Sequence, residues 1–229
     1  MMMPMFRLRA FPLLATALMT LLAGCVGAPD APRRAPPRTA TSWNPPASAD
    51  GRACLMNLGR SDASFTPLPD QYFGAGCSAV GTVRLTSLRS DAGPLQLSNL
   101  GPVTCPLANT LSGWARFGVD RAAQQILGSR LVRIETMGSY SCRTVAGTNR
   151  LSGHATANAV DISGFVLADG RRITVLRDWD SASPQVRAFL GTVRDSACRR
   201  FGTVLSPEYN AAHRDHLHLE VGAGRPFCR

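Results

Sequence analysis

All four histidines of this 229-residue chain fall in two short windows. His154 lies seven residues before Asp161, and His213, His216 and His218 lie within six residues of one another. Neutral imidazole and carboxylate are common ligands of zinc in hydrolytic sites. Scattered histidines would usually be surface or satisfied core residues, so it is the clustering that indicates a metal site. Three protein ligands would leave a fourth position for water, which is the catalytic rather than the structural arrangement.

The local pattern in both windows suits ligands held by strands. In a strand over 216–221, residues two apart share a face, which places His216 and His218 together. Leu217 and Leu219 would then point to the core and hold the strand in place. Asp161 sits in the apolar run AVDI at 159–162, where a carboxylate is costly to bury without a partner such as a metal ion.

Three stretches resemble the motifs of zinc D-alanyl-D-alanine metallopeptidases. Residues 151–161 (LSGHATANAVD) resemble their S-x-H-x-x-G-x-A-x-D motif, with Ala157 in place of the glycine. Residues 213–218 (HRDHLH) resemble the closing H-x-H motif, with the extra upstream histidine of murein endopeptidases; no Glu-x-x-His is present there. Residues 138–143 (GSYSCR) resemble the preceding G-Y-R segment. Taken together, 54–229 is similar to the bacterial extensin-like C-terminal domain family, which is related to the lysostaphin / D-Ala-D-Ala peptidase / hedgehog group.

This resemblance implies a role for each residue of the cluster. His154, Asp161 and His218 would bind Zn²⁺. His216 would be the general base or would stabilise the transition state, and His213 would assist it. A zinc ion lowers the pKa of its water toward ~7, and an imidazole that titrates near ~6.5 can move the proton.

Three further residues have less specific interpretations. By resemblance, Arg143 would hold a substrate carboxylate or polarise a carbonyl, and a surface ion pair is an equal alternative. Tyr140 is expected to pack rather than to take part in catalysis. Glu220 shares the face of His218 and is expected at the rim of the site, with support of that imidazole as the alternative.

Residues 1–24 have the organisation of a secretory signal peptide. Arg7 and Arg9 precede an uncharged apolar stretch over 10–23, which is shorter than the roughly 20 residues of a transmembrane helix. It ends in LAGC at 22–25, which resembles the bacterial lipoprotein processing box. Cys25 would then carry the lipid, and a plain signal peptide followed by a free cysteine is the alternative. Val26 favours the outer membrane by resemblance to Gram-negative sorting rules. We therefore expect a lipid-anchored protein on the periplasmic face of the envelope.

The rest of the chain divides into a tether and one domain. Residues 25–51 are rich in Pro, Ala and Arg and predict a flexible tether, and 52–229 has globular composition. Alternating apolar residues predict strands over 80–88, 131–137, 159–166, 172–176 and 216–221. Helical spacing predicts helices from Pro106, over 120–127 and over 184–201. This pattern indicates an α+β fold with a largely antiparallel sheet and flanking helices, and the resemblance implies a hedgehog/D-Ala-D-Ala-peptidase-like fold.

The remaining six cysteines predict three disulfides, because an even number in an exported chain is typical of an oxidising compartment. Several pairings are possible. The expected set joins cysteines that are neighbours in sequence: Cys54–Cys77, Cys105–Cys142 and Cys198–Cys228. No CxxC pair is present, which argues against a zinc ribbon.

The charge is basic, with 25 basic and 15 acidic residues and a net charge of +10. Because the arginines are scattered and the chain is exported, we expect anionic envelope polymers rather than nucleic acid as its surroundings. The leading hypothesis is a zinc-dependent hydrolase of peptidoglycan peptides, of carboxypeptidase or endopeptidase type. The alternative is a non-catalytic metal-binding module that docks on the cell wall. The expected partners are peptidoglycan or its stem peptides, and the membrane through the N-terminal lipid.

Overall fold

The computed structural model describes residues 48–229. The predicted signal peptide, the lipidation site Cys25 and all but the last four residues of the predicted tether lie outside this range. In the described part, the helices are α1 (Ala49–Arg60), α2 (Cys105–Trp114), α3 (Arg121–Leu127), α4 (Val175–Asp178) and α5 (Pro184–Cys198). The strands are β1 (Ser64–Pro67), β2 (Gln71–Gly74), β3 (Cys77–Ala79), β4 (Thr82–Ser90), β5 (Gly93–Ser98), β6 (Val103–Thr104), β7 (Leu131–Gly138), β8 (Ala159–Leu167), β9 (Arg172–Thr174), β10 (Thr203–Leu205), β11 (Leu217–Glu220) and β12 (Phe227–Cys228).

One large sheet carries most of the strands. Its order is β1-β4-β5-β7-β8-β11-β10-β12, with β6 paired to β4 and β9 paired to β8. The pairs β5–β7 and β10–β12 are parallel and the others are antiparallel. Strands β2 and β3 form a separate hairpin. The expected mixture of helices with a mostly antiparallel sheet is confirmed. No helix in 48–229 is long and apolar enough to span a bilayer.

The core lies between the sheet and helices α2, α3 and α5. Trp114 at the end of α2 is fully buried, and its indole N–H donates to the carbonyl of Val193 on α5 at 3.1 Å. Its ring lies 6.3 Å from Phe165 on β8 and 6.1 Å from Phe201. A π-helical turn, Ala115–Asp120, joins α2 to α3. The register of β8 with β7 skips Ser163, so Phe165 shares the buried face of Val160 and Ile162, and the helices cover this face.

Capping residues determine where several elements begin and end. The Ser183 hydroxyl accepts from the Val186 N–H, so α5 begins at Pro184 as predicted. It ends at Cys198, three residues before the predicted end, because the N–H groups of Arg200 and Phe201 both turn back to the Ala197 carbonyl. Similarly, the predicted strand over 172–176 stops at Thr174, whose hydroxyl caps helix α4.

Two of the expected disulfide pairs are wrong. Cys54 pairs with Cys105 and Cys77 with Cys142, at Cα–Cα distances of 6.1 and 5.5 Å. The expected pairs, Cys54–Cys77 and Cys105–Cys142, assumed that proximity in sequence means proximity in space. Instead α1, which carries Cys54, packs along α2, which begins at Cys105. The β2–β3 hairpin, which carries Cys77, lies beside the segment that follows β7.

The third disulfide joins Cys198 to Cys228, which is the pair expected from the sequence. It ties the last residue of α5 to strand β12. The same tail is held to the sheet by the Phe227 N–H, which donates to Gly202, and by the Ser206 N–H, which donates to the Arg229 carbonyl. The C-terminus is thereby fastened next to β10.

Candidate metal centre

The register between β8 and β11 brings two of the predicted ligands face to face. Asp161 on β8 lies directly opposite His218 on β11. Residues opposite each other in an antiparallel pair have their Cβ atoms about 4.5–5.5 Å apart and project from the same face. On the other face, the adjacent residues Val160, Ile162, Leu217 and Leu219 are all fully buried. The predicted inward direction of the two leucines is confirmed.

The third predicted ligand comes from a short turn before β8. His154 lies in the 3₁₀ helix Gly153–Thr156, which begins where the Ser152 hydroxyl accepts from the His154 N–H at 3.4 Å. The turn ends at Ala157, which has a left-handed φ of +54°. Glycine adopts this conformation without steric cost, whereas the Cβ of Ala157 makes it unfavourable. The Asn158 amide then donates to the Val221 carbonyl at 2.7 Å, fixing the turn to the end of β11.

The three side chains direct one ligand atom each to a common point. His154 Nε2 lies 3.1 Å from His218 Nδ1 and 3.2 Å from Asp161 Oδ1, and His218 Nδ1 lies 3.0 Å from Asp161 Oδ1. His154 and His218 are 3% and 8% exposed. The structure thus brings together the three residues expected as ligands, in a group able to hold a metal ion.

Partners of the outer ring nitrogens determine which nitrogens face inward. His154 Nδ1 lies 3.0 Å from the Ser139 carbonyl, and His218 Nε2 lies 3.4 Å from Glu220 Oε2. Each partner is an acceptor, so each outer nitrogen carries the proton and each inner nitrogen presents its lone pair. With both rings in these neutral tautomers, two lone pairs and a carboxylate oxygen would converge without a donor between them, so the arrangement calls for a cation at this point, either a metal ion or a proton.

The electrostatics of the centre reflect the same convergence. Burial raises the pKa of Asp161, but hydrogen bonds from His154 and His218 outweigh it and hold the pKa well below its usual range. Burial lowers the pKa of His218, yet its contacts with Asp161 and Glu220 dominate and raise the pKa to about 9. Without a metal, a proton on His218 therefore compensates the carboxylate.

His216 lies beside the three ligands but is oriented by a different carboxylate. Its Nδ1 is 2.8 Å from Asp215 Oδ1, and its Nε2 is 3.6 Å from Asp161 Oδ1. The Asp215 contact places the proton on Nδ1 and leaves Nε2 free to accept one at the edge of the centre. Asp215 directly precedes His216 in the sequence, and this adjacency was a signal from which its contact with the imidazole could have been predicted.

His213 forms the outer edge of the histidine cluster. It lies in the 3₁₀ helix Ala211–His213, its Nδ1 is 2.7 Å from Asn210 Oδ1, and its ring centroid is 5.1 Å from that of His216. Burial lowers the pKa of His213 to about 4, with further contributions from His216 and His218. His213 is therefore a neutral imidazole at neutral pH, as an assisting residue would need to be.

Glu220 is placed by a glycine. A Cβ built on Gly153 would meet the Glu220 carboxyl group at 2.5–2.8 Å, so only glycine leaves room for that carboxylate beside His218. Glu220 also lines the rim as expected, and it has the supporting contact with His218 that was the alternative. Both interpretations of Glu220 therefore apply.

The centre opens into a cleft of about 590 Å³. Arg143 and Arg150 line one part of it, and Tyr209 and Phe227 line another. Within 48–229 Arg143 forms no ion pair with a carboxylate, which argues against the surface ion-pair alternative. No pattern in the sequence pointed to Arg150.

Tyr140 packs as expected. Its ring lies 5.0 Å from that of Phe73 on the β2–β3 hairpin, and its hydroxyl is buried without a hydrogen-bond partner in the described residues. The preceding residue, Ser139, supplies the carbonyl that orients His154. A backbone carbonyl has no side-chain signature, so the sequence could not have identified it.

A family model described as "Extensin-like protein C-terminus" matches residues 52–229. The match begins three residues after the start of α1 and includes every residue of the metal centre and the cleft. No curated protein and no solved structure matches the chain.

Proposed function

The chain belongs to the family of the extensin-like protein C-terminus, and on that premise we propose that it is an envelope lipoprotein with a zinc-dependent hydrolase domain. Its substrates are peptidoglycan peptides, which it cleaves as a carboxypeptidase or as an endopeptidase. The motif resemblance to zinc D-alanyl-D-alanine peptidases, and a fold of the hedgehog/D-Ala-D-Ala-peptidase type, belong to this proposal. The pairing of Asp161 with His218 across two strands supports both.

The convergence of three ligand atoms is the observation that carries the proposal. Their mutual distances are 3.0–3.2 Å. Ligand atoms placed tetrahedrally around zinc at about 2.0–2.1 Å are about 3.3 Å apart, so a zinc ion fits with little movement. The Ser139 and Glu220 contacts orient both imidazoles, as partners of metal-bound histidines usually do. Three ligands leave one position open on the cleft side.

Other residues of the chain have separate roles in proton transfer and in substrate binding. Zinc in such a site supplies Lewis-acid catalysis and activates water. His216 Nε2 accepts the proton of the attacking water and later returns it to the leaving amine. Asp215 holds the His216 ring in the orientation that this requires, and neutral His213 borders it. Arg143, which lines the cleft, binds a carboxylate of the peptide.

Export and anchoring are the second part of the proposal. Three disulfides among the described residues support an oxidising compartment. The processing box at 22–25 supports a lipid on Cys25, with outer-membrane sorting favoured by Val26. The basic net charge suits the anionic cell wall, and nucleic acid is not a partner. The predicted tether over 25–51 would let the domain reach peptidoglycan from the membrane.

Metal analysis combined with digestion of cell wall tests the proposal. The purified chain should contain one zinc per molecule, and it should release shorter muropeptides from isolated sacculi, as seen by chromatography. Chelation should stop the release, and added zinc should restore it. If the chain binds zinc stoichiometrically but cuts neither sacculi nor D-Ala-D-Ala peptides, it is instead a metal-containing module that docks on the wall. Absence of zinc would refute both the hydrolase and the zinc-containing docking module.

A further inference from the structure

The segment after β7 forms a small hairpin whose two arms can be assigned by register. Thr144 and Leu151 form a β-bridge, the Ser152 N–H donates to Arg143, and the Val145 N–H donates to Arg150. Opposite residues share a face and successive residues alternate. One face therefore carries 143, 145, 150 and 152, and these four positions all line the cleft beside the metal centre.

The other face of this hairpin is packed and tethered. Leu151 points away from the cleft and contacts the β2–β3 turn so closely that a Cβ on Gly76 would come within 2.7 Å of its Cδ1. Cys142, at the base of the hairpin, is bonded to Cys77 on β3. The hairpin is thus fastened on this side by the half-buried Leu151 and by a covalent bond at its base.

Two guanidinium groups consequently project from the same face of one hairpin. Arg143 and Arg150 occupy diagonal positions across the arms, for which Cα separations of about 7–8 Å are typical. Neither forms an ion pair with a carboxylate of residues 48–229.

The carboxylates of the neighbouring site do not compensate this charge. Asp161 and Glu220 contact His218, and Asp215 contacts His216. Both guanidinium groups in the cleft are therefore available to a ligand that carries carboxylates. A planar guanidinium matches a carboxylate in a bidentate manner.

We propose that Arg150 forms a second carboxylate subsite next to Arg143, so that the cleft selects peptides with two free carboxylates. This inference rests on the proposed function, since it names the substrate class of the same site. Arg143 would take the terminal carboxylate near the centre, and Arg150 would take another carboxylate along the peptide. Arg150 is a specificity residue in this scheme and takes no part in proton transfer.

Binding of defined peptides to the zinc-loaded full-length chain, measured by calorimetry, tests the subsite without requiring cleavage. The probe is the stem tetrapeptide L-Ala-γ-D-Glu-meso-diaminopimelate-D-Ala, compared with two versions in which one non-terminal carboxylate is amidated. Amidation at one of these positions should weaken binding about tenfold. Arg150→Ala should weaken binding of the free acid equally and erase the discrimination. Arg150→Lys should retain part of the discrimination, because a lysine keeps the positive charge but lacks the paired N–H donors of the guanidinium.

The control is Arg89→Ala, which removes an exposed arginine of β4 outside the cleft. This variant should bind all three peptides as the parent chain does. Equal affinity of the parent chain for the three peptides, or discrimination that survives in Arg150→Ala, would overturn the subsite. Discriminating binding without cleavage would leave the subsite standing while the hydrolase proposal fails. Cleavage without discrimination would give the reverse result.

Discussion

The distances between side-chain atoms separate the three predicted ligands, His154, Asp161 and His218, from His216. The first three converge within 3.2 Å, whereas His216 Nε2 stands 3.6 Å from Asp161. We expect His154→Ala and Asp161→Ala to lose both zinc and activity, because two protein ligands hold zinc poorly. His216→Ala should keep one zinc while turnover falls by roughly 10²–10⁴.

Metal content and turnover must be measured on the same preparations, since loss of activity alone does not separate a ligand from a base. His213→Ala is the matched control within the cluster, and it should also keep its zinc. Should His216→Ala lose the metal while His218→Ala retains it, the two roles are inverted.

Glu220 acts on the metal through His218. We expect Glu220→Gln to lower zinc affinity by roughly 10–100-fold, since a carboxylate partner fixes the ring and increases its basicity. Gly153→Ala should have a similar effect, because its Cβ would displace the same carboxylate. Competition with a chromophoric chelator measures the affinity. Glu208→Gln, an exposed glutamate paired with Arg194, is the control; an equal loss there would contradict the assignment.

At the scale of elements, the Cys77–Cys142 disulfide joins two hairpins and thereby positions Arg143. We expect Cys77→Ser with Cys142→Ser to lower the free energy of unfolding by about 2–4 kcal/mol and to raise KM, while zinc content and kcat stay close to those of the parent chain. Urea denaturation and steady-state kinetics provide the two measurements.

The Cys54–Cys105 disulfide offers a matched comparison, because it closes a loop of similar length, 51 against 65 residues, away from the cleft. Its removal should cost similar stability with no change in KM. A KM change of the same size in both double variants would show that the effect is general loosening rather than placement of the hairpin.

For the whole molecule, the metal centre couples stability to pH. In the metal-free protein the burial of His218 is outweighed by its contacts with Asp161 and Glu220, which raise its pKa from the usual 6.5 to about 9. Its stabilising contribution is therefore complete below pH 6.5 and is lost as the pH rises through about 9. The free energy of unfolding should fall by up to about 3 kcal/mol across this interval.

Urea titrations of the chelated protein between pH 6 and 10 measure this slope. Asp161 does not add to it, because its lowered pKa affects stability only in acid. The lowered pKa of His213 acts below pH 6.5, where stability is lost as the pH falls toward 4. His218→Gln should flatten the alkaline slope, and a slope that persists in this variant would assign it to another group.

The anchor also belongs to the molecular scale. Cys25→Ser should abolish labelling by a radioactive or clickable fatty acid and should release the chain from the membrane fraction. The reason is that the thioether lipid has no other attachment point at the processing box. Cys54→Ser is the control for the loss of any cysteine, and it should stay labelled and remain in the membrane fraction. Unchanged labelling of Cys25→Ser would refute lipidation.

The sequence determined those features that depend on local periodicity. Alternation placed His216 and His218 on one face and the two leucines in the core, and capping chemistry located the start of α5 at Pro184. It also predicted the class of fold and, from the clustering of imidazole and carboxylate, a metal site, while the resemblance to zinc peptidase motifs implied which three residues converge there. The pair Cys198–Cys228 was predicted correctly, on the expectation that Cys198 on the last helix could reach the C-terminal tail.

Tertiary structure decided what depends on contacts between distant segments. The register that sets Asp161 opposite His218, the Ser139 carbonyl behind His154 and the pairs Cys54–Cys105 and Cys77–Cys142 all join parts of the chain that no local pattern relates. The same holds for Arg150, whose importance arises only because a β-bridge turns it to the face of Arg143. Side-chain type and spacing report which chemistry is possible, but the distance between two segments is determined by packing of the whole core.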